Sequence, residues 1–318
     1  MRACWRRCPA RWGGERDTVT AVGKLVVVGV GLIGGSLALA LREAGAVASV
    51  VGIGRSRANL DDAKACGIVD RAYRIDDDWR AELGDADIVL IAAPVAQFAS
   101  LFAAVAPHLG AATVVTDAGS SKQDVIVAAR AALGERFAQF VPAHPIAGSE
   151  RSGAAAADAS LYRGRSVIIT PAAETSASAV ARVESMWRAT GANVSRLDAG
   201  AHDRIFAAVS HLPHILAHTL VADLASRPNA DALFAQAGPG FRDFTRIAAS
   251  SPEMWRDVAL GNRDALLAEI GAFSEALARI TRSIAAGDGD ALEALFARSR
   301  DARNRLQRDS MLRVRDNE

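Results

Sequence analysis

The stretch VVVGVGLIGGSLALAL, residues 26–41, decides the fold. Three valines lead into Gly29, Gly31 and Gly34, and an apolar run follows at once. A strand that stops at a G-x-G-x-x-G frame and restarts as a helix is the fingerprint of a dinucleotide-binding βαβ unit. Gly29 permits the tight turn, Gly31 lets backbone amides approach a pyrophosphate, and Gly34 lets the helix pack on the strand. The helix N-terminus, with Leu32 and Ile33 beside it, then faces the anion. A glycine-rich turn in an unrelated α/β protein is the competing explanation, and the strand-then-helix context counts against it.

The fingerprint expects an acidic residue about 20 positions further on, where it would hold the ribose 2′-hydroxyl of NAD. That place reads GIGRSR (52–57), with Gly54 where the carboxylate should be, then Arg55, Ser56 and Arg57. A carboxylate would repel a 2′-phosphate, whereas a guanidinium grips one with two parallel hydrogen bonds. NADP is therefore expected, with NAD left open in case both arginines only meet solvent.

From residue 24 onward, short β-branched runs alternate with alanine-rich helical stretches. KLVVVGV (24–30), VASVVGI (47–53), ADIVLIAAP (86–94) and ATVVTDAG (112–119) read as strands. Helices are expected over 36–43, 59–66, 97–109 and 122–133. This rhythm predicts a parallel sheet with right-handed crossovers, a Rossmann-type domain. FAQFVPAHP (137–145) and GRSVIITP (164–171) are expected to be late strands of the same sheet, joined by a loop over 153–160. Beyond residue 198 the pattern is helical only, over 205–224, 251–286 and 290–312. The expected organisation is a disordered tail at 1–22, a dinucleotide-binding domain at 23–198 and an all-helical C-terminal domain at 199–318.

The chain of 318 residues is half hydrophobic, ample for a sizeable core, and 37 basic side chains oppose 36 acidic ones. No overall field favours nucleic acid or an anionic membrane. Cys4 and Cys8 lie in the tail, which leaves Cys66 as the single cysteine of the expected folded body, and this fits a reducing cytoplasm. The first 22 residues contain no continuous apolar run and do not read as a secretory signal. No apolar run reaches the roughly 18 residues of a membrane span. A soluble cytoplasmic protein is expected.

Three clusters carry candidate chemistry. DAGSSK (117–122) follows a strand, so Ser120 belongs at the carboxyl edge of the sheet, where open α/β folds bind ligands. AHPIAGSE (143–150) also follows a strand and would turn His144 toward the nicotinamide end; alone, a histidine before proline is more often a turn residue. AVSHLPHILAH (208–218) spaces Ser210, His214 and His218 at i, i+4 and i+8, one face of a helix. Ile205, Val209, Leu212, Leu216 and Leu220 form a separate apolar stripe. Pro213 lies inside this helix, removes one hydrogen bond and should kink it. His211 and His218 can equally be satisfied core residues. No H-E-x-x-H pattern or further carboxylate supports zinc, so no metal is expected.

Taken together and in order, GVGLIGGSLALAL, TDAGSSK, HPIAGSE, HDRIFAAVSHLPH and FRDFTRIA resemble the prephenate and arogenate (cyclohexadienyl) dehydrogenases of tyrosine biosynthesis. The resemblance implies a Rossmann-type domain followed by a helical dimerisation domain, with the active site between them. It implies oxidative decarboxylation of prephenate to 4-hydroxyphenylpyruvate with hydride transfer to NADP or NAD, by a homodimer acting on a small-molecule substrate. His144 then assists oxidation at the ring hydroxyl and Ser120 hydrogen-bonds both. Ser210 and His214 supply substrate contacts, Arg246 binds a substrate carboxylate, and Glu150 is associated with access to the site. Arogenate dehydrogenase, or use of both substrates, stays open. Other two-domain dehydrogenases place a catalytic lysine in the helical domain, and residues 198–318 contain none. A non-enzymatic NADP sensor would have no need of Ser120, His144, Ser210 and Arg246 together.

Overall fold

The computed structural model of the chain describes residues 22–148 and 151–315, with side chains described as far as 307. Glu150, and the expected tail apart from its last residue, lie outside the described residues. The first half alternates as expected, with one strand, β3, that the sequence did not announce: β1 (Val22–Val28), α1 (Leu32–Glu43), β2 (Val47–Gly54), α2 (Arg57–Ala65), β3 (Arg71–Arg74), β4 (Ile88–Ile91), α3 (Phe98–Val105), β5 (Val114–Asp117) and α4 (Gln123–Leu133). With β6 (Phe140–Val141) these strands form a six-stranded parallel sheet in the order β3-β2-β1-β4-β5-β6. Each face of the sheet carries its own core. One packs Leu25, Val27, Leu37, Leu41 and Trp187, and the other packs Val26, Val28, Trp79, Phe98 and Phe102. Alternate valines of β1 thus feed opposite cores, as expected of a strand buried on both sides.

The late strands depart from expectation. After β6, Pro142 ends the ladder, and β7 (Ala143–Pro145) turns out of the large sheet into a separate three-stranded one. There β7 pairs antiparallel with β8 (Ser166–Ile169), which pairs in parallel with β9 (Asn193–Arg196) beyond α5 (Ala177–Ala189). His144 therefore stands on a small sheet beside the large one. The switch of sheets is a tertiary choice that two neighbouring apolar runs do not encode locally.

The helical half comprises α6 (Ala199–Phe206), a π-helical turn (Ala207–His211), α7 (Leu212–Ala225), α8 (Ala230–Ala235) and α9 (Pro239–Thr245). A 3₁₀ turn (Arg246–Ala249), α10 (Pro252–Gly261), α11 (Arg263–Ala285) and α12 (Gly289–Arg315) follow. The expected proline kink takes the form of the π turn: Pro213 has no N–H to offer Val209, and one extra residue in the preceding turn absorbs the misfit. The expected apolar stripe does not pack as one unit, because Leu212 is buried while Ile205 and Val209 are exposed. Against the sequence expectation, the helical stretch Ala199–Ala225 is long and apolar enough to cross a membrane by length and composition. Its histidines interrupt the apolar run, and its buried polar groups build the site below.

Candidate active site

The glycine frame shapes an open cradle. Gly29 has φ +104°, and a Cβ there would lie 2.3 Å from the carbonyl oxygen of Ala92; at Gly34 it would lie 2.4 Å from that of Gly29. At Gly31 it would meet nothing within 4 Å. Gly31 caps α1 without a side-chain hydrogen bond, and no acidic residue stands in the first turn of that helix. Its first amides, around Leu32 and Ile33, are free to bind an anion, so these residues fit the pyrophosphate of a dinucleotide.

At the end of β2, a Cβ on Gly54 would press within 3.2 Å of the buried Leu60. Ser56 caps α2 by accepting the Asn59 N–H at 3.3 Å, which gives it a structural task. Arg55 and Arg57 are exposed, and Arg55 reaches Glu253 of α10 only at 3.9 Å. Such an exposed pair is worth less than about 1 kcal/mol, so the Arg55 guanidinium remains available.

A web of buried hydrogen bonds sets His144 in place. Asp117, at the end of β5, accepts the Ala143 N–H at 3.0 Å and the Gly119 N–H at 2.7 Å. Lys122, fully buried, ion-pairs with Asp117 and donates to the Ala143 carbonyl at 2.8 Å. Both polar groups of Ala143 are thereby clamped, and His144 follows it. Ser120 sits partly exposed in the turn that carries this pair, between β5 and α4.

Across the domain junction, His144 Nδ1 lies 2.9 Å from His202 Nε2, and His202 Nδ1 lies 2.8 Å from Asp203 Oδ1. Asp203 also accepts the backbone N–H groups of Lys122 and Gln123, each at 2.9 Å, at the N-terminus of α4. Phe206 packs on both imidazoles, with ring centroids 4.8 and 4.5 Å away. Burial, then His202, Lys122 and His211, hold His144 well below the usual imidazole range, so it is neutral near pH 7. Burial also lowers His202 against the pull of Asp203. For Asp203, burial pushes the carboxyl up, but the bonds from His202, Gln123 and Lys122 prevail and keep it ionised.

The same web runs on into α7. Asn262 donates to the Asp203 carbonyl at 2.7 Å and lies 3.1 Å from His211 Nδ1. Trp255 stacks on His214, with centroids 3.6 Å apart and planes at 21°. His214 Nδ1 donates to the Ser210 carbonyl at 2.9 Å, a bond to the backbone and not to the serine hydroxyl. Burial lowers His214, with His218 and Arg246 adding to the effect and the Ser210 bond opposing it, so Arg246 lies within electrostatic reach. The Arg246 side chain is exposed and has no hydrogen-bond or ion-pair partner among the described residues. Among the described residues, no group of three or more His, Cys, Asp or Glu is placed to hold a metal ion.

The structure thus gathers His144, His214 and Ser210 along one continuous seam. It adds residues given no role from sequence: Asp117, Lys122, His202, Asp203, Trp255 and Asn262. The local signal for them was thin. His202 and Asp203 are adjacent polar residues on an apolar helix, and Lys122 and Asp117 flank the Ser120 turn.

The chain matches the prephenate dehydrogenase nucleotide-binding domain over residues 37–196 and the prephenate dehydrogenase dimerization domain over 198–298. It is 33% identical to the cyclohexadienyl dehydrogenase of Zymomonas mobilis over 297 residues, 93% of this chain and 100% of that one. It is 35% identical to the prephenate dehydrogenase of Bacillus subtilis over 285 residues, 89% of this chain and 76% of that one. The crystal structure of prephenate dehydrogenase from Aquifex aeolicus, in complex with hydroxyphenyl propionate and NAD+, superposes with a TM-score of 0.78 at 34% identity, covering 86% of this chain and 94% of that one. With this fold, this glycine cradle and this buried histidine seam, the chain belongs to the prephenate dehydrogenase family of NAD(P)-linked oxidoreductases, which oxidise and decarboxylate prephenate.

Proposed function

We propose that this chain oxidises prephenate to 4-hydroxyphenylpyruvate with NADP as preferred acceptor, and that His144 is the base. The observation that carries the reading is the neutral, buried imidazole on β7, held against α6 by His202 and Phe206. A nicotinamide dinucleotide held at the cradle of Gly29, Gly31 and Gly34 would supply the hydride acceptor. His144 takes the proton of the ring hydroxyl as charge develops there, a role typically worth about 10²- to 10⁴-fold. Loss of carbon dioxide leaves its bonding pair in the ring, which becomes aromatic. The borrowed proton returns to the product phenolate, so no net proton is released. Ser120 orients the hydroxyl toward His144.

The substrate is a dianion, and Arg246 supplies a free planar fork for one carboxylate. His214, braced by Trp255 and by its bond to the Ser210 carbonyl, forms the facing wall with Ser210. Glu150 is assigned to access. Gly29, Gly31 and Gly34, with the amides around Leu32 and Ile33, hold the pyrophosphate. Arg55 and Arg57 receive the 2′-phosphate, while Ser56 is assigned to capping α2 and presenting the turn. The boundary between the two domains is set at residue 198.

The enzyme acts as a cytoplasmic homodimer. Support for the dimer comes from α11, 23 residues of which only Leu266 is buried, and from exposed Leu260, Leu267, Phe273, Leu277 and Ile284 around it. The test follows absorbance of the reduced cofactor with prephenate and then arogenate, each with NAD and NADP. The expected result is the highest kcat/KM for prephenate with NADP. His144→Asn should lower kcat by about 10²-fold or more with little change in KM, and wild-type turnover by that variant would refute the base.

A further inference from the structure

We infer that His202 and Asp203 are positioning residues that fix the proton of His144 on Nδ1 and so present Nε2 as its basic atom. The inference rests on His144 being the base and concerns which of its two nitrogens acts. An ionised carboxylate accepts hydrogen bonds and donates none. Asp203 Oδ1, 2.8 Å from His202 Nδ1, therefore requires that nitrogen to carry the proton. In the neutral ring His202 Nε2 is then a bare acceptor. It stands 2.9 Å from His144 Nδ1, so that nitrogen in turn must carry a proton. Only Nε2 of His144 is left with a free lone pair.

Asp203 cannot readily turn away. It is 1% exposed and held by two amides at the start of α4, where the helix terminus itself favours a negative charge. Exchanging both tautomers would face a bare His202 nitrogen toward the carboxylate and forfeit a buried charge-assisted bond. The arrangement shown is thereby favoured by about 10- to 10²-fold. Because Asp203 belongs to α6 and its amide partners to α4, the orientation of the base depends on the two domains being docked.

The test uses the full chain labelled with ¹⁵N-histidine, which has six histidines to resolve, with His144→Asn assigning the signals of residue 144. The wild-type protein is expected to show a protonated Nδ1 and an unprotonated Nε2 at His144. The opposite pattern overturns the proposal whatever the kinetics. In turnover, His202→Leu, which removes the acceptor, should lower kcat by about 10- to 10²-fold with KM within about twofold. His202→Gln, whose amide oxygen can accept from Nδ1, should recover kcat to within about threefold of wild type. A folded His202→Leu with wild-type kcat, beside an inactive His144→Asn, would overturn the positioning role and leave the base intact. Full activity in His144→Asn would instead remove the base itself.

Discussion

Replacing Lys122 with methionine tests how the strand bearing His144 is held. The side chain is fully buried, ion-paired to Asp117 and bonded to the Ala143 carbonyl. Methionine fills much of the volume but leaves Asp117 as a buried carboxylate without a counter-charge. Breaking one side of a buried pair typically costs about 3–5 kcal/mol. Asp117 keeps two amide donors, Gly119 and Ala143, which places the expected loss near the lower end, about 3 kcal/mol. For a domain of this size each kcal/mol moves Tm by roughly 2–4 °C, so a fall of about 6–12 °C is expected. The assay is thermal unfolding by circular dichroism at fixed protein concentration across a pH series. Burial already pushes the Asp117 carboxyl above its ordinary 3.8, against the pull of Lys122. Without the cation it rises further, and a raised carboxyl destabilises only where it is ionised. The deficit against wild type should thus be largest near pH 7 and shrink as pH falls through the raised value. A Tm loss below about 2 °C, or a deficit that persists unchanged into acid, would refute the reasoning.

On the role proposed for Arg246, Arg246→Ala should raise KM for prephenate by about 10- to 10²-fold, with kcat changed much less, since it would remove a charge-assisted contact made before the chemistry; steady-state kinetics check this. Arg55→Ala should raise KM for NADP by about tenfold or more and leave that for NAD nearly unchanged; equal effects on both would refute its phosphate role. Burial lowers His211 from 6.5 to about 4, so the folded state binds fewer protons than the unfolded chain between those values. The stability it contributes is complete above pH 6.5 and is lost as pH falls toward about 4, a change of about 3 kcal/mol. His211→Gln should flatten that part of the pH–stability curve measured by urea unfolding.

The large sheet could be read from sequence because its determinants are local: β-branched runs buried on both faces, and glycines where the backbone must come close. β3 could not, since its RAYR sequence is polar, short and at a sheet edge. The transfer of β7 to the small sheet was hidden because pairing partners are chosen by the whole fold, and only Pro142 hinted at the break. At the site, Ser120 and His144 were visible through their place after strands. The bond from His144 to His202 joins residues 58 apart in sequence and exists only once α6 docks against α4. Likewise Trp255, from a later helix, reaches His214 by tertiary packing alone.

The π turn of residues 207–211 carries a consequence for the spacing of the whole wall. It separates the end of the long helical stretch that bears His202 and Asp203 from the end that bears His214. Removing one residue there would restore ordinary winding and rotate everything downstream by about 100°. His202 would keep its address while His214 swung off its tryptophan, so the wide turn works as a phase adjuster between two halves of one rod.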